Sequence, residues 1–350
     1  MDPLTHVTTG LILSQVIPMP TRALGALAGI FFALLPDIDY FFIYSNRLAY
    51  LKYHRGFTHS LLAMFLFALT VAAVGRLLGG PRWGRSLFFL GLSVLASHLL
   101  LDVATSYGTQ LLNPFSRQKF ALDWLFIIDP YLTGVLIIGA AAALYSVSWG
   151  RQVGISCLTL AGAYFLICGF YHHRALNLAH IIYERAGEIE LKIAALPQPL
   201  SCRRWQLLAA GPDEIKQTMV QLPFRSVAAS EVSFTEIEAT VVYGSGPLAV
   251  NIPYQPPSQL QVYRWPRQRG DPGRLSPEVS RALDVYLAFA RFPVLTQMAS
   301  PKGEKIFLWI DLRFSVPGMP YPFVFSLEGD SSNRSHRWQI HHTSRGRWTK

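Results

Sequence analysis

The chain has 350 residues, 51% hydrophobic and only 15% charged, with a mean hydropathy of +0.27. Soluble globular proteins carry about 25% charge, so this composition excludes an ordinary soluble protein, and its apolar content excludes a disordered or collagen-like one. The net charge of +10 is mild at this length. It suits an anionic membrane surface and carries no nucleic-acid signature.

The charge is unevenly placed. Residues 1–171 hold 16 charged side chains and residues 172–350 hold 36. The first part therefore reads as a membrane domain and the second as water-soluble. A first apolar run covers Leu4 to Ile17 and stops at Pro18 and Pro20. It is short for an upright span. Ala23 to Tyr44 follows, interrupted by Pro36-Asp37-Ile38-Asp39. Further runs cover Leu61 to Leu78, Leu87 to Ala104, Tyr131 to Trp149 and Gly154 to Tyr171. Runs of about 18 apolar residues read as spans, so five to six membrane helices are expected in 1–171. Met1-Asp2-Pro3 lacks the basic segment of a removable signal peptide.

Residues 172–196 read as an amphipathic connecting helix ended by Pro197 and Pro199. The remainder, 197–350, reads as a soluble α+β domain. Strands are expected over Glu236 to Tyr243, Lys305 to Phe314 and Phe323 to Leu327. A helix is expected from Pro277 to Phe292, capped by Ser276. The polar tail from Ser331 is expected to fray. The fold class is thus a multi-pass α-helical membrane domain followed by a soluble, strand-rich α+β domain. Cys157, Cys168 and Cys202 form no CxxC pair and support neither a disulfide framework nor a cysteine zinc site.

Every carboxylate before residue 172 is an aspartate: Asp2, Asp37, Asp39, Asp102, Asp123 and Asp129. The histidines there are His6, His54, His59 and His98. Ionisable groups in or beside membrane runs are functional candidates by default. If the first run crosses, alternation of the runs brings His6, Asp37, Asp39, His54, His59, His98, Asp102 and Asp129 to one face. The opposite loops carry Arg22, Arg76, Arg82, Arg85 and Arg151. His98 and Asp102 are four apart, on one helix face. Mixed His/Asp ligation favours Zn, Mn or Fe over Mg or Ca. Eight ligands exceed one tetrahedral site, so one or two divalent ions, Zn or Mn, are expected. Arg55 suits an anionic oxygen. Bland readings stand beside these: Asp129 before Pro130 also reads as a helix cap, Asp123 as surface, Tyr107-Gly108 as a turn, and His172-His173 as solvated.

Thr5-His6, Leu35-Pro36-Asp37-Ile38-Asp39, His54-Arg55-Gly56-Phe57-Thr58-His59-Ser60 and Ser97-His98 through Asp102, then Tyr107-Gly108, carry a resemblance. Over residues 1–171 the chain resembles the bacterial membrane-bound metal-dependent hydrolases, the YdjM-like inner-membrane proteins. The resemblance implies a multi-pass protein of the bacterial inner membrane and a metal-dependent hydrolase activity. The expected substrate is an ester or phosphoester, of a lipid or another amphiphile. The bilayer is the expected partner. Asp39, Arg55 and His59 form the expected catalytic set, with the general base left open among the carboxylates. A metal or proton transporter using the same His/Asp set, and a metal-stabilised membrane scaffold, are the alternatives.

Overall fold

The helices of the N-terminal unit start where the sequence supplies caps. The computed structural model describes residues 1–43, 46–184, 191–239, 252–268, 270–273, 275–299, 305–329 and 336–341. It divides into two units, Met1–Phe170 and Tyr171–Lys350. Asp2 accepts from Thr5 N and opens α1 (Pro3–Val16). Thr21 does the same for α2 (Arg22–Leu34) through Leu24 N. Pro36 lacks the N–H that an α ladder needs, and the chain tightens into a 3-10 turn, Pro36–Ile38. Two short helices follow, α3 (Asp39–Ile43) and α4 (Arg47–Tyr53). A second 3-10 turn, Phe57–His59, leads into α5 (Leu61–Val103), capped by Ser60.

Helix α5 is broken at Gly80, which has φ 80° and precedes Pro81. That conformation suits glycine. The two arms pack back on each other: Leu87 fills the space beside Gly75, and the Phe65 and Phe88 rings lie 6.0 Å apart. After a loop over residues 104–129 come α6 (Pro130–Tyr145) and α7 (Gly150–Glu184). α1 contacts α2, α5 and α6. α1 and α2 touch backbone to backbone, since a Cβ on Gly10 would lie 2.4 Å from the Gly29 carbonyl oxygen. Phe32, Ala33, Ala68, Leu87, Leu90 and Leu95 form the core between α2 and α5.

Two helices, α5 and α7, are long and apolar enough to cross a bilayer, while α2 and α6 are shorter apolar helices. The five to six spans expected from the sequence are therefore not matched one for one. Proline and cap residues trim the others. At 1.5 Å per residue the 14 residues of α1 reach about 21 Å, short of a hydrocarbon core of about 30 Å.

The second unit differs from expectation at its start. The segment 172–196 is not one connecting helix. Its first part is the end of α7, without a break at Tyr171, and Lys192–Pro197 is strand β1. Pairing of β1 with β2 (Arg204–Ala210) outweighs the local pattern. With β3 (Glu214–Gln221), β4 (Phe234–Glu238) and β5 (Leu260–Pro266) they form a sheet of order β1-β2-β3-β5-β4, antiparallel except for β4 with β5. Residues 240–243 of the expected strand lie outside the described residues.

The second sheet is β6-β7-β8-β9: β6 (Pro293–Ala299), β7 (Lys305–Asp311), β8 (Val324–Gly329) and β9 (His336–His341). β9 falls in the segment expected to fray, held by its ladder to β8. The expected helix is α8 (Pro277–Phe289), capped by Ser276. Leu208 and Ile215 of one sheet share a core with Leu308 and Ile310 of the other. Tyr286 of α8 donates to the Trp309 carbonyl at 2.9 Å, and burial raises its phenol well above the ordinary value.

Candidate metal centre

Five short pieces of chain meet in the first unit. The first turn of α1 brings His6, and the turn after α2 brings Asp37 and Asp39. The segment between α4 and α5 brings His54, Arg55 and His59. The last turns of α5 bring His98 and Asp102. The 104–129 loop closes over them: Gln110 N donates to the Arg55 carbonyl and Leu61 N to the Leu111 carbonyl, both at 3.0 Å. Arg55 is held at φ 57°, rare for a residue with a side chain. Its N–H donates to Asp39 Oδ2 (3.3 Å), so hydrogen bonds on both sides of the residue fix the strained turn.

The tautomers follow from the partners. His98 Nδ1 lies 2.8 Å from the Ala33 carbonyl, which can only accept. Nδ1 is therefore protonated, which leaves Nε2 as the lone-pair nitrogen of the neutral tautomer. Thr58 Oγ1 donates to Asp39 Oδ2 at 3.0 Å, so it accepts from His59 Nδ1, also at 3.0 Å. His59 Nε2 is thus a lone pair too. Burial, the largest influence, pushes the His59 imidazole below its ordinary value despite Asp37 and Asp102.

That nitrogen faces two carboxylates and a second imidazole. Asp37 Oδ1 is 3.2 Å away, Asp102 Oδ2 3.3 Å and His98 Nε2 3.4 Å. Asp102 Oδ2 and both His6 ring nitrogens are buried without a hydrogen-bond partner. Neutral acceptors and carboxylates crowded together in a dry place repel unless a cation sits among them. The ligand atoms of His6, Asp37 and His98 lie within 4.8 Å of one another, as do those of His59, His98 and Asp102. This donor set, three imidazoles and two carboxylates, could hold a metal ion.

Asp102 divides its two oxygens. Oδ2 faces His59 and His98, while Oδ1 receives Arg55 Nη2 at 2.8 Å and the Met1 amino group. Arg55 Nη1 also donates to Thr105 Oγ1 (3.0 Å), and the guanidinium stacks 4.9 Å over Tyr107. His6 stacks on His98 with ring centroids 3.7 Å apart.

The structure brings His6, Asp37, His59, His98 and Asp102 together as potential ligands. It places Asp39 and His54 one layer out. Asp39 accepts from His54 Nδ1 (3.1 Å), Arg55 N and Thr58, which occupies both of its oxygens with the 54–58 segment. Asp129 lies elsewhere: it caps α6 through Tyr131 N and Leu132 N and accepts from Tyr164 Oη at 2.8 Å. Asp123 is buried in the 104–129 loop, and His172 packs on Trp205 in the second unit. Thr58 and the Ala33 carbonyl, which fix the two histidines, escaped sequence reasoning. Thr58 lies inside the motif and could have been found there; a backbone carbonyl leaves no sequence signal.

An apolar helical unit with a buried His/Asp centre, followed by a strand-rich domain of two sheets, defines the class. Within it, the chain belongs to the YdjM inner membrane protein family, whose model matches residues 1–176. It is 27% identical to the protein YfhP of Bacillus subtilis (strain 168) over 221 residues, 59% of this chain and 64% of YfhP. It is 36% identical to the inner membrane protein YbcI of Escherichia coli (strain K12) over 152 residues, 41% of this chain and 77% of YbcI. No solved structure matches the chain.

Proposed function

We propose that this chain is a multi-pass integral membrane hydrolase, dependent on one or two divalent ions, that cleaves an ester or phosphoester of an amphiphile. The observation that carries the reading is the convergence of Asp37, Asp102 and His98 on His59 Nε2. His6, His59, His98 and Asp102 would hold the ion. Zinc or manganese held there would lower the pKa of a water and stabilise developing negative charge.

The chain's own residues supply the rest. Asp39 orients His59 through Thr58, and Ala33 orients His98, the outer-layer hydrogen bonding that ligating histidines use. Arg55 holds Asp102 and is the one guanidinium among the site residues suited to an anionic oxygen. Asp37, the most exposed of the five potential ligands, suits the general base in place of ligation, with the other four residues holding the ion.

The multi-pass reading is supported by the break of α5 at Gly80, which gives two apolar arms, and by the apolar helices α2, α6 and α7. A transporter needs access from both faces, whereas these ligands gather at the helix ends on one side. The test is an ester screen on purified full-length chain with zinc or manganese, using generic phosphoesters and carboxyl esters. Turnover lost in His59→Ala and retained in Asp129→Asn supports hydrolysis. Bound metal with no turnover of any ester favours the scaffold, and ion flux in liposomes favours the transporter.

A further inference from the structure

The centre opens at its least buried potential ligand. The Asp37 side chain is 24% exposed, against 1% or less for His6, His59, His98 and Asp102. The segments that carry the site residues also carry large, exposed apolar side chains. Ile38 follows Asp37 directly, and Phe41 lies one turn on, 84% exposed. Tyr53 and Phe57 flank the His54–Gly56 stretch, both exposed. Leu112 and Phe115 come from the 104–129 loop, and Phe115 is 86% exposed. Contacts join these segments, and their exposed apolar residues are taken together as a rim. The Tyr40 ring contacts Tyr50 and His54, tying α3 to α4. The bonds from Gln110 and Leu61 tie the loop to residues 55–61.

Scattered exposed apolar residues are ordinary, but an apolar rim around a polar opening marks an interaction surface. Charge says which kind. Arg47, Lys52 and Arg117 are exposed on the rim's segments. All six carboxylates before residue 172 are buried or half-buried, so every exposed charge on the described part of this unit is a cation. Apolar and aromatic side chains interleaved with Lys and Arg, without exposed acid, match the headgroup layer of an anionic bilayer. The rim also continues into outward apolar positions of α5, such as Leu61 and Phe65.

We propose that this rim is seated in the headgroup layer of an anionic leaflet, so that the centre lies beside the lipid headgroups. The proposal rests on the reading that α5 crosses the bilayer, and not on hydrolysis. The experiment uses full-length chain with Cys157, Cys168 and Cys202 replaced by serine, reconstituted in phosphatidylglycerol/phosphatidylethanolamine vesicles. Single cysteines carry a spin label at Phe41, Phe115, Leu69 on α5, or Leu200 in the second unit. Collision with oxygen and with a water-soluble nickel chelate reports depth. Nickel collision at 41 and 115 is expected to be lower than at 200 by about threefold or more. It should rise when Lys52→Glu and Arg117→Glu are added. Labels at 41 and 115 as open to nickel as 200, with 69 deep in hydrocarbon, would overturn the proposal alone. A label at 69 open to nickel would overturn it together with the spanning reading. Neither outcome depends on activity.

Discussion

Asp102 organises the centre because its two oxygens have different tasks. One is held by Arg55 and the Met1 amino group; the other is left toward His59 and His98. Asp39 works at one remove, through Thr58. The two carboxylates should therefore separate in a metal titration. Asp39→Asn, which weakens the hold on Thr58 and His54, should lower zinc affinity by about 10–100-fold without abolishing binding. Asp102→Asn should remove most of it. Equal effects from the two variants would contradict this division. Asp129→Ala should leave metal affinity unchanged while loosening the start of α6, where loss of a cap costs about 1 kcal/mol.

At the scale of elements, α1 reaches the centre because Gly10 and Gly29 let two helices touch. A side chain there must push them apart, and His6 rides on α1. Gly10→Val is expected to destabilise by about 1–3 kcal/mol and to weaken metal binding as well. Gly162→Ala, where an added Cβ meets nothing, is the neutral control in the same melting and metal assays. In the second unit, Asp311 accepts from the N–H groups of Arg291, Phe292 and Arg313 and pairs with the buried Arg313 at 2.9 Å. Asp311→Ala removes the carboxylate from beside a buried guanidinium and should cost about 3–5 kcal/mol in thermal unfolding of the full chain.

Elements and site differ in how far they could be read beforehand. α8 was legible because Ser276 and Pro277 mark its start. The site motif was legible because ionisable residues are scarce in an apolar sequence. β1 was not, since pairing with Arg204–Ala210 is a tertiary fact. The sorting of ligands from supports was not legible either: Asp37 and Asp39 differ by two positions, and only the 54–58 segment decides which of them it occupies.

The whole molecule joins an apolar helical unit to a strand-rich one through the unbroken helix α7. If the arms of α5 both cross, its turn at Gly80 lies on the face opposite the centre. Reporter fusions at residue 80 and after residue 103 should then give opposite signals; equal signals would reject the crossing. The central claim is the ion itself. Full-length chain purified in detergent and loaded with zinc or manganese, then desalted, should retain about one to two ions per chain by elemental analysis. The double variant His59→Ala/His98→Ala should retain none while keeping its elution volume. Wild-type chain that binds no divalent ion under these conditions would contradict the account.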